Sequence, residues 1–116
     1  MPVPAPILKR LREILSVPGD RVGKARRISA AIRETGGYRW VGILEVSPEK
    51  TGIMAWSGRE AAPGAARSEV VLPVPGAAAG QVVGLLHIVS DAPHTYGEDD
   101  RRRLEECAAL LGPLWE

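Results

Sequence analysis

The spacing of apolar residues changes period several times along the chain, and each change marks an element. Ile7, Leu8, Leu11, Ile14 and Leu15 recur at helical spacing behind Pro6, which suits a first helical turn. Pro18-Gly19 ends that stripe. Asp20 is placed to cap a second helix to about Thr35, with Val22, Ala25, Ile28 or Ser29, and Ile32 as its apolar face. Gly36-Gly37 closes it through a left-handed terminus. From Tyr38 the period falls to two. Tyr38 to Val46, YRWVGILEV, predicts a strand with Trp40, Gly42, Leu44 and Val46 on one face and Val41, Ile43 and Glu45 on the other. Residues 47–50 form a turn, and Thr51 to Ser57 returns as the second arm of a hairpin. Gly58 to Arg67 has no period and predicts a loop. Ser68 to Val74 is a further strand, which Pro73 confines to a sheet edge or a strand end.

The longest apolar run, Gln81 to Ser90, lies between Gly80 and Asp91-Ala92-Pro93. Polar residues are nearly absent from both of its faces, so it predicts a central strand covered on both sides. Val83, Leu85, His87 and Val89 face one way, and Gly84, Leu86 and Ile88 the other. Thr95 and Glu98 have capping-box spacing before a last helix, with Leu104, Ala108 and Leu111 as its stripe, Cys107 alongside, and Gly112-Pro113 as its end. Leu114 and Trp115 are left over as apolar surface. Helix, helix, hairpin, loop, hairpin, helix is an α+β layer arrangement.

Composition narrows the function classes. At 116 residues the chain is expected to be one domain, residues 1–116, with residues 1–19 as an N-terminal helical extension. Aromatic residues are 4% of the total and Phe is absent, so the core is aliphatic. A net charge of +1 gives no global attraction to nucleic acid or an anionic membrane. The basic groups at 9–12, 24–27 and 101–103 fall on helices and are taken as solvated faces. One cysteine excludes an internal disulfide and fits a reducing cytoplasm. The N-terminus lacks the apolar core of a signal peptide, and no apolar run reaches the ~20 residues of a membrane span. Two histidines and one cysteine show no metal-ligand spacing.

The pattern SEVVLPV, a turn, QVVGLLHIVSDAP and then YGEDDRRRLEECAALL resembles a GAF domain, and the hairpin YRWVGILEV with IMAWSG agrees with it. The likeness covers about Asp20 to Trp115. It implies an antiparallel sheet with the N- and C-terminal helices packed on one face and a ligand pocket under a lid on the other. Many GAF domains bind cyclic nucleotides, tetrapyrroles, haem or small metabolites, and many dimerise through terminal helices. Within the family the chain is most similar to free methionine-(R)-sulfoxide reductases, whose WVG-type motif is matched by Trp40-Val41-Gly42. In those enzymes the loop before SE-x-V-x-P carries the catalytic cysteines. Here that loop, GREAAPGAARSE, has none. Their D-x-D-S motif is replaced by His87, Val89 and Ser90, and only Glu69 matches a substrate-binding carboxylate. Thiol redox chemistry needs a thiolate in the pocket, so the enzymatic reading is dropped. Gly58 to Arg67 is also short for a lid, which disfavours a tetrapyrrole or cyclic nucleotide and leaves a shallow groove or a filled pocket.

Trp40, Trp56, Glu69 and His87 are the candidate ligand-binding residues. Glu69 and His87 would form an acid/base or ligand-orienting couple; the simpler reading is a buried histidine satisfied by its neighbour. Trp40 and Trp56 either line a small pocket or plug it. Cys107 is a small core residue rather than a nucleophile, and His94 faces solvent. If the family register holds, Trp40, Glu69, Val83, Leu85 and His87 project to the pocket side and Val41, Ile43, Leu86 and Ile88 to the helix side. The expectation is a non-catalytic, stand-alone, cytoplasmic GAF-like module without a cofactor, sensing a small molecule or binding a partner. It is expected to be a homodimer through its terminal helices, with no nucleic-acid or membrane contact. The alternative is a degenerate reductase relative with weak metabolite binding.

Overall fold

The computed structural model describes residues 6–47, 49–59, 67–91 and 97–115. Its elements are α1 (Pro6–Ser16), α2 (Arg21–Gly36), β1 (Trp40–Val46), β2 (Thr51–Gly58), β3 (Arg67–Pro75), β4 (Val82–Asp91), α3 (Glu98–Ala109) and a 3-10 turn (Gly112–Trp115). The strands form one antiparallel sheet in the order β2-β1-β4-β3. The apolar run is therefore central, and the strand containing Pro73 is an edge. The region where a lid was expected lies mostly at residues 60–66, outside the described residues.

Local chemistry sets the helix ends. The Asp20 carboxylate accepts from the Gly23 N–H at 3.2 Å, filling one of the open donors of the first turn. Gly37 ends α2 at φ 68°, and the next N–H, of Tyr38, returns to the Arg33 carbonyl at 3.1 Å. The N-cap of α3 is Gly97, which has no side chain to cap with. The capping-box expectation is thus not met, and Thr95 itself lies outside the described residues. The acids Glu98, Asp99 and Asp100 do occupy the first turn, where the helix dipole favours them.

One face of the sheet is sealed by the helices. Val41, Ile43, Ala55, Val70, Leu72, Val74, Leu86 and Ile88 join a single core with Ala25, Ile28, Ile32, Leu104 and Cys107. α2 lies over β2 and β1, and α3 over β3. α1 packs against both α2 and α3, with Ile7 and Leu11 fully buried, and the Lys24 ammonium donates to the Leu15 carbonyl at 3.0 Å. The buried face of α2 differs from the expected one. Ala31 is enclosed, whereas Val22, in the first turn, stays 41% exposed, contrary to its expected place on the apolar face.

Two further expectations are corrected. Leu114 is buried and Trp115 packs against the core, so neither is free apolar surface. A methyl group at Gly84 would meet the Trp115 six-membered ring at 2.5 Å, so this glycine is what lets the indole lie against β4. Val83 also packs against the core rather than projecting with Leu85 and His87. The register of β3 and β4 shifts between Val74 and Pro75, and Val83 is the extra residue at that irregularity, which changes its direction.

Cys107 is fully enclosed on α3. Burial pushes its thiol from 9.0 up to about 12, the Glu106 charge adds to the rise, and Arg103 opposes it. Below pH 9 both folded and unfolded chains keep this proton. Above it the unfolded chain ionises first, so stability is lost as pH rises from about 9 towards about 12. Thermal unfolding followed between pH 8 and pH 11 should show Tm falling more steeply for the wild type than for Cys107→Ala; equal slopes would remove Cys107 as the cause.

Candidate functional site

The sheet face turned away from the helices carries the candidate residues. The pairings of β1 with β4 and of β4 with β3 place Trp40, Val89 and Glu69 in one cross-strand row. The next row runs Trp56, Gly42, His87, Val71 from edge to edge. Cross-strand partners share a face, so Trp40, Trp56, Glu69 and His87 all project outward. Glu69 and His87 are diagonal neighbours, within reach of long side chains. His87 Nε2 lies 3.3 Å from Glu69 Oε1. A carboxylate can only accept, so the contact is attractive when the imidazole carries a proton on Nε2.

Trp40 completes the cluster. Its ring centroid is 5.4 Å from that of His87, with the planes at 76°, an edge-to-face contact. A methyl at Gly42 would lie 2.2 Å from Trp40 Cη2, so the indole must lie along its own strand over Gly42. That accounts physically for the Trp40-Val41-Gly42 spacing: the glycine two residues on, facing the same way, makes room for the ring. Trp40 is only 6% exposed, and with Val89 it forms a small outer cluster separate from the helix-side core. Trp40 therefore fills the centre of this face, while the Glu69 and His87 side chains remain partly open, at 37% and 27%.

Trp56 stands apart. It shares the row of His87, but β1 lies between their strands, roughly 10 Å of sheet. It is 55% exposed on the edge strand β2. The structure brings Trp40, Glu69 and His87 together and leaves Trp56 at the periphery. Val71, exposed directly beside His87, belongs to the same surface and was not anticipated. Its place in VVLPV marks it as strand but does not reveal that its neighbour would be the imidazole.

A second polar contact lies on the helix side. The Tyr38 hydroxyl donates to Asp100 Oδ1 at 3.3 Å, and both residues are buried. Sequence patterning gives Asp100 the same role as Asp99, a helix-start acid, and nothing in EDDRRR separates the two. The exposed arginines Arg101 and Arg102 agree with a solvated helix face, and Arg103 pairs with Glu106 one turn on at 3.3 Å. Among the described residues no group of three or more His, Cys, Asp or Glu side chains could hold a metal ion. No helix among them is long and apolar enough to cross a membrane.

No protein-family model matches the chain, and no curated protein matches it in sequence. Its fold does match solved structures. The chain is similar to a putative GAF sensor protein from Burkholderia vietnamiensis, with a TM-score of 0.77, 15% identity, and coverage of 93% of this chain and 90% of that one. It is also similar to the free methionine-R-sulfoxide reductase of Neisseria meningitidis solved in complex with its substrate, with a TM-score of 0.75, 18% identity, and coverage of 94% and 86%. A type II free methionine-R-sulfoxide reductase from Thermoplasma acidophilum matches at a TM-score of 0.68 and 18% identity, over 90% and 93%. The chain has the GAF fold.

The seating of Trp40 can be tested at Gly42. Alanine in place of a strand glycine ordinarily gains about 0.5–1 kcal/mol. Here the added methyl overlaps an enclosed indole, a conflict of the kind that costs about 1–3 kcal/mol, so the packing penalty should win. Gly42→Ala should lower the urea midpoint and shift tryptophan emission to the red. An unchanged or raised midpoint would show that the ring has another place to go.

Proposed function

We propose that the chain acts as a single minimal, non-catalytic GAF domain that binds a small molecule or a partner on the outer face of its sheet, using Glu69 and His87 beside Trp40. The observation that carries this reading is the separation of the polar couple from the thiol. The only cysteine of the sequence, Cys107, is buried on α3 beneath the helix-side face, whereas Glu69 and His87 project from the opposite face. A thiol across the sheet cannot attack a ligand held by that couple. The couple itself supplies an acceptor and a donor 3.3 Å apart, suited to orienting a polar group. Sensor proteins among the neighbours of the same fold support the reading. It requires no cofactor and places the protein in the cytoplasm, in keeping with its single buried thiol.

A second reading is a degenerate relative of the sulfoxide reductases that still binds free methionine sulfoxide weakly. Glu69 favours it, since it stands in SEVVLP where the reductase pattern has a substrate-binding carboxylate, and a reductase of the same fold has been solved with its substrate. Thermal-shift titration separates the two. A metabolite bound by the native state raises Tm by mass action, and Glu69→Gln should abolish the rise. A saturable rise with methionine sulfoxide but not with other metabolites favours the second reading. In either case reductant-driven turnover of methionine sulfoxide should equal a no-protein blank. Turnover lost in Cys107→Ser would overturn the non-catalytic assignment.

Self-association is part of the proposal. Leu8, Ile14 and Leu15 on α1 stay partly exposed beside the buried Ile7 and Leu11, leaving an apolar strip for a two-fold interface between terminal helices. The burial of Leu114 and Trp115 leaves α1 as its main contributor. Light scattering should give the dimer mass for the wild type and the monomer mass for Leu8→Glu; a wild-type monomer at high concentration would refute it.

A further inference from the structure

The two edges of the sheet are guarded differently. β3 carries Pro73 and Pro75 and is flanked by Arg101 and Glu105 of α3, features that discourage strand pairing. β2, TGIMAWSG, has no proline and no charged residue along its whole length. It nevertheless exposes two large apolar side chains, Ile53 at 52% and Trp56 at 55%. An edge this bare is a ready template for another strand.

Hydrogen-bond phase shows which backbone groups are available. The Arg59 N–H donates to the Arg39 carbonyl at 3.2 Å, across the same register that pairs Val41 with Ser57 and Ile43 with Ala55. In an antiparallel pair these bonds involve every second residue, so Ala55 and Ser57 point to β1 while Trp56 and Gly58 turn to the edge that no described strand covers. Met54 is an extra residue in the register with β1, between the partners of Ile43 and Leu44. This bulge sets Ala55 to Gly58 apart as a separate ledge, extended to Ser57 and ended by Gly58 at φ 105°.

Electrostatics and sterics select the occupant. Arg33 Nε donates to Ser57 Oγ at 2.8 Å, which sets a guanidinium against the inner side of the ledge. Arg26, two turns earlier on the same helix face, and Arg59, just past the strand, are exposed and add positive charge. Among the described residues the nearby acids are Glu34, beside Arg33 on α2, Glu45, opposite Gly52 and paired with Arg21, and Glu49 at the far end of β2. A second copy fits poorly, because α2 lies over β2. Joining two β2 edges would drive the two α2 helices together with their arginines facing. An isolated extended segment brings no helix layer with it.

We propose that the β2 edge is a docking site for an extended segment of another protein. The segment adds a strand against Trp56 and Gly58, sets apolar side chains beside Trp56 on the outer face, and sets carboxylates on the inner face towards Arg33 and Arg26. This site is independent of the Glu69–His87 couple, so loss of one leaves the other standing.

Selection from a displayed library of random peptides of about ten residues, long enough to span a strand, tests the proposal. The enriched peptides should alternate apolar and acidic positions and should slow amide exchange at Trp56 and Gly58 in the wild-type protein. Trp56→Ala, which keeps the N–H, should weaken them several-fold. Trp56→Pro, which removes it, should weaken them by about tenfold or more beyond that. Failure to enrich any such peptide would overturn the proposal, as would protection mapping elsewhere than the β2 edge. So would binding that persists in a folded Trp56→Pro protein. A dimer that this same substitution dissociates would name a second copy as the occupant and would also overturn it. The exchange measurement decides the matter if the proline variant does not fold.

Discussion

The register between β1 and β4 is the constraint on which the rest of the molecule depends. Both are central strands, and together they present Val41, Ile43, Leu86 and Ile88 to one layer and Trp40 and His87 to the other. Side chains alternate strictly along a strand, so a slip of one residue would drive the imidazole and the indole into an aliphatic core and expose four branched apolar side chains. Fully burying each of those is worth about 1.5–3 kcal/mol, which together outweighs any single polar contact on the outer face. The Glu69–His87 contact is therefore a consequence of the register rather than a cause of it.

The helix layer is held by a few tertiary polar contacts of its own. Tyr38, just after α2, is buried against Gly36, where an added methyl would overlap its ring at 2.1 Å, and its hydroxyl reaches the first turn of α3. Ser29, buried midway along α2, satisfies its hydroxyl locally by donating to the Ala25 carbonyl at 2.9 Å. Arg21 and Glu45 pair at the other end of α2, across to β1, where both are well exposed and the contribution to stability is small. The buried contact is the one that fixes geometry, because a carboxylate held out of water must find its partners within the fold.

Much of this was legible in the sequence, and the exceptions have identifiable physical sources. The central strand, the edge position of Pro73, the Asp20 cap and the Gly37 terminus all follow from local chemistry: period, missing donors and permitted φ. The facing of Glu69 and His87 came from a family likeness, since no local rule pairs residues on different strands. Errors arose where a tertiary neighbour overrode the local pattern. Val83 was turned because it is the extra residue where β4 slips against β3, and Trp115 was drawn in by the absence of a side chain at Gly84. Val22 was left outside because α2 docks through Ala25, Ile28, Ala31 and Ile32. Asp100 was indistinguishable from Asp99 because only the fold places Tyr38 above one of them. Within the candidate site, sequence located the couple and Trp40 but could not foresee that Trp56 would sit a strand away at the edge.

The seat of α1 between α2 and α3 bears on how the chain is made. α1 is the first described element to be synthesised, yet part of the surface that encloses Ile7 and Leu11 is supplied by α3, which is made only after all four strands. Until α3 is made, this amphipathic segment has half a groove at most. An isolated helix of this length is marginal in water, so it remains an exposed apolar stretch of nascent chain until α3 is released. The packing of α1 can therefore be completed only once α3 has also emerged. The interval in which Leu11 is uncovered is set by the time taken to synthesise everything between α1 and α3.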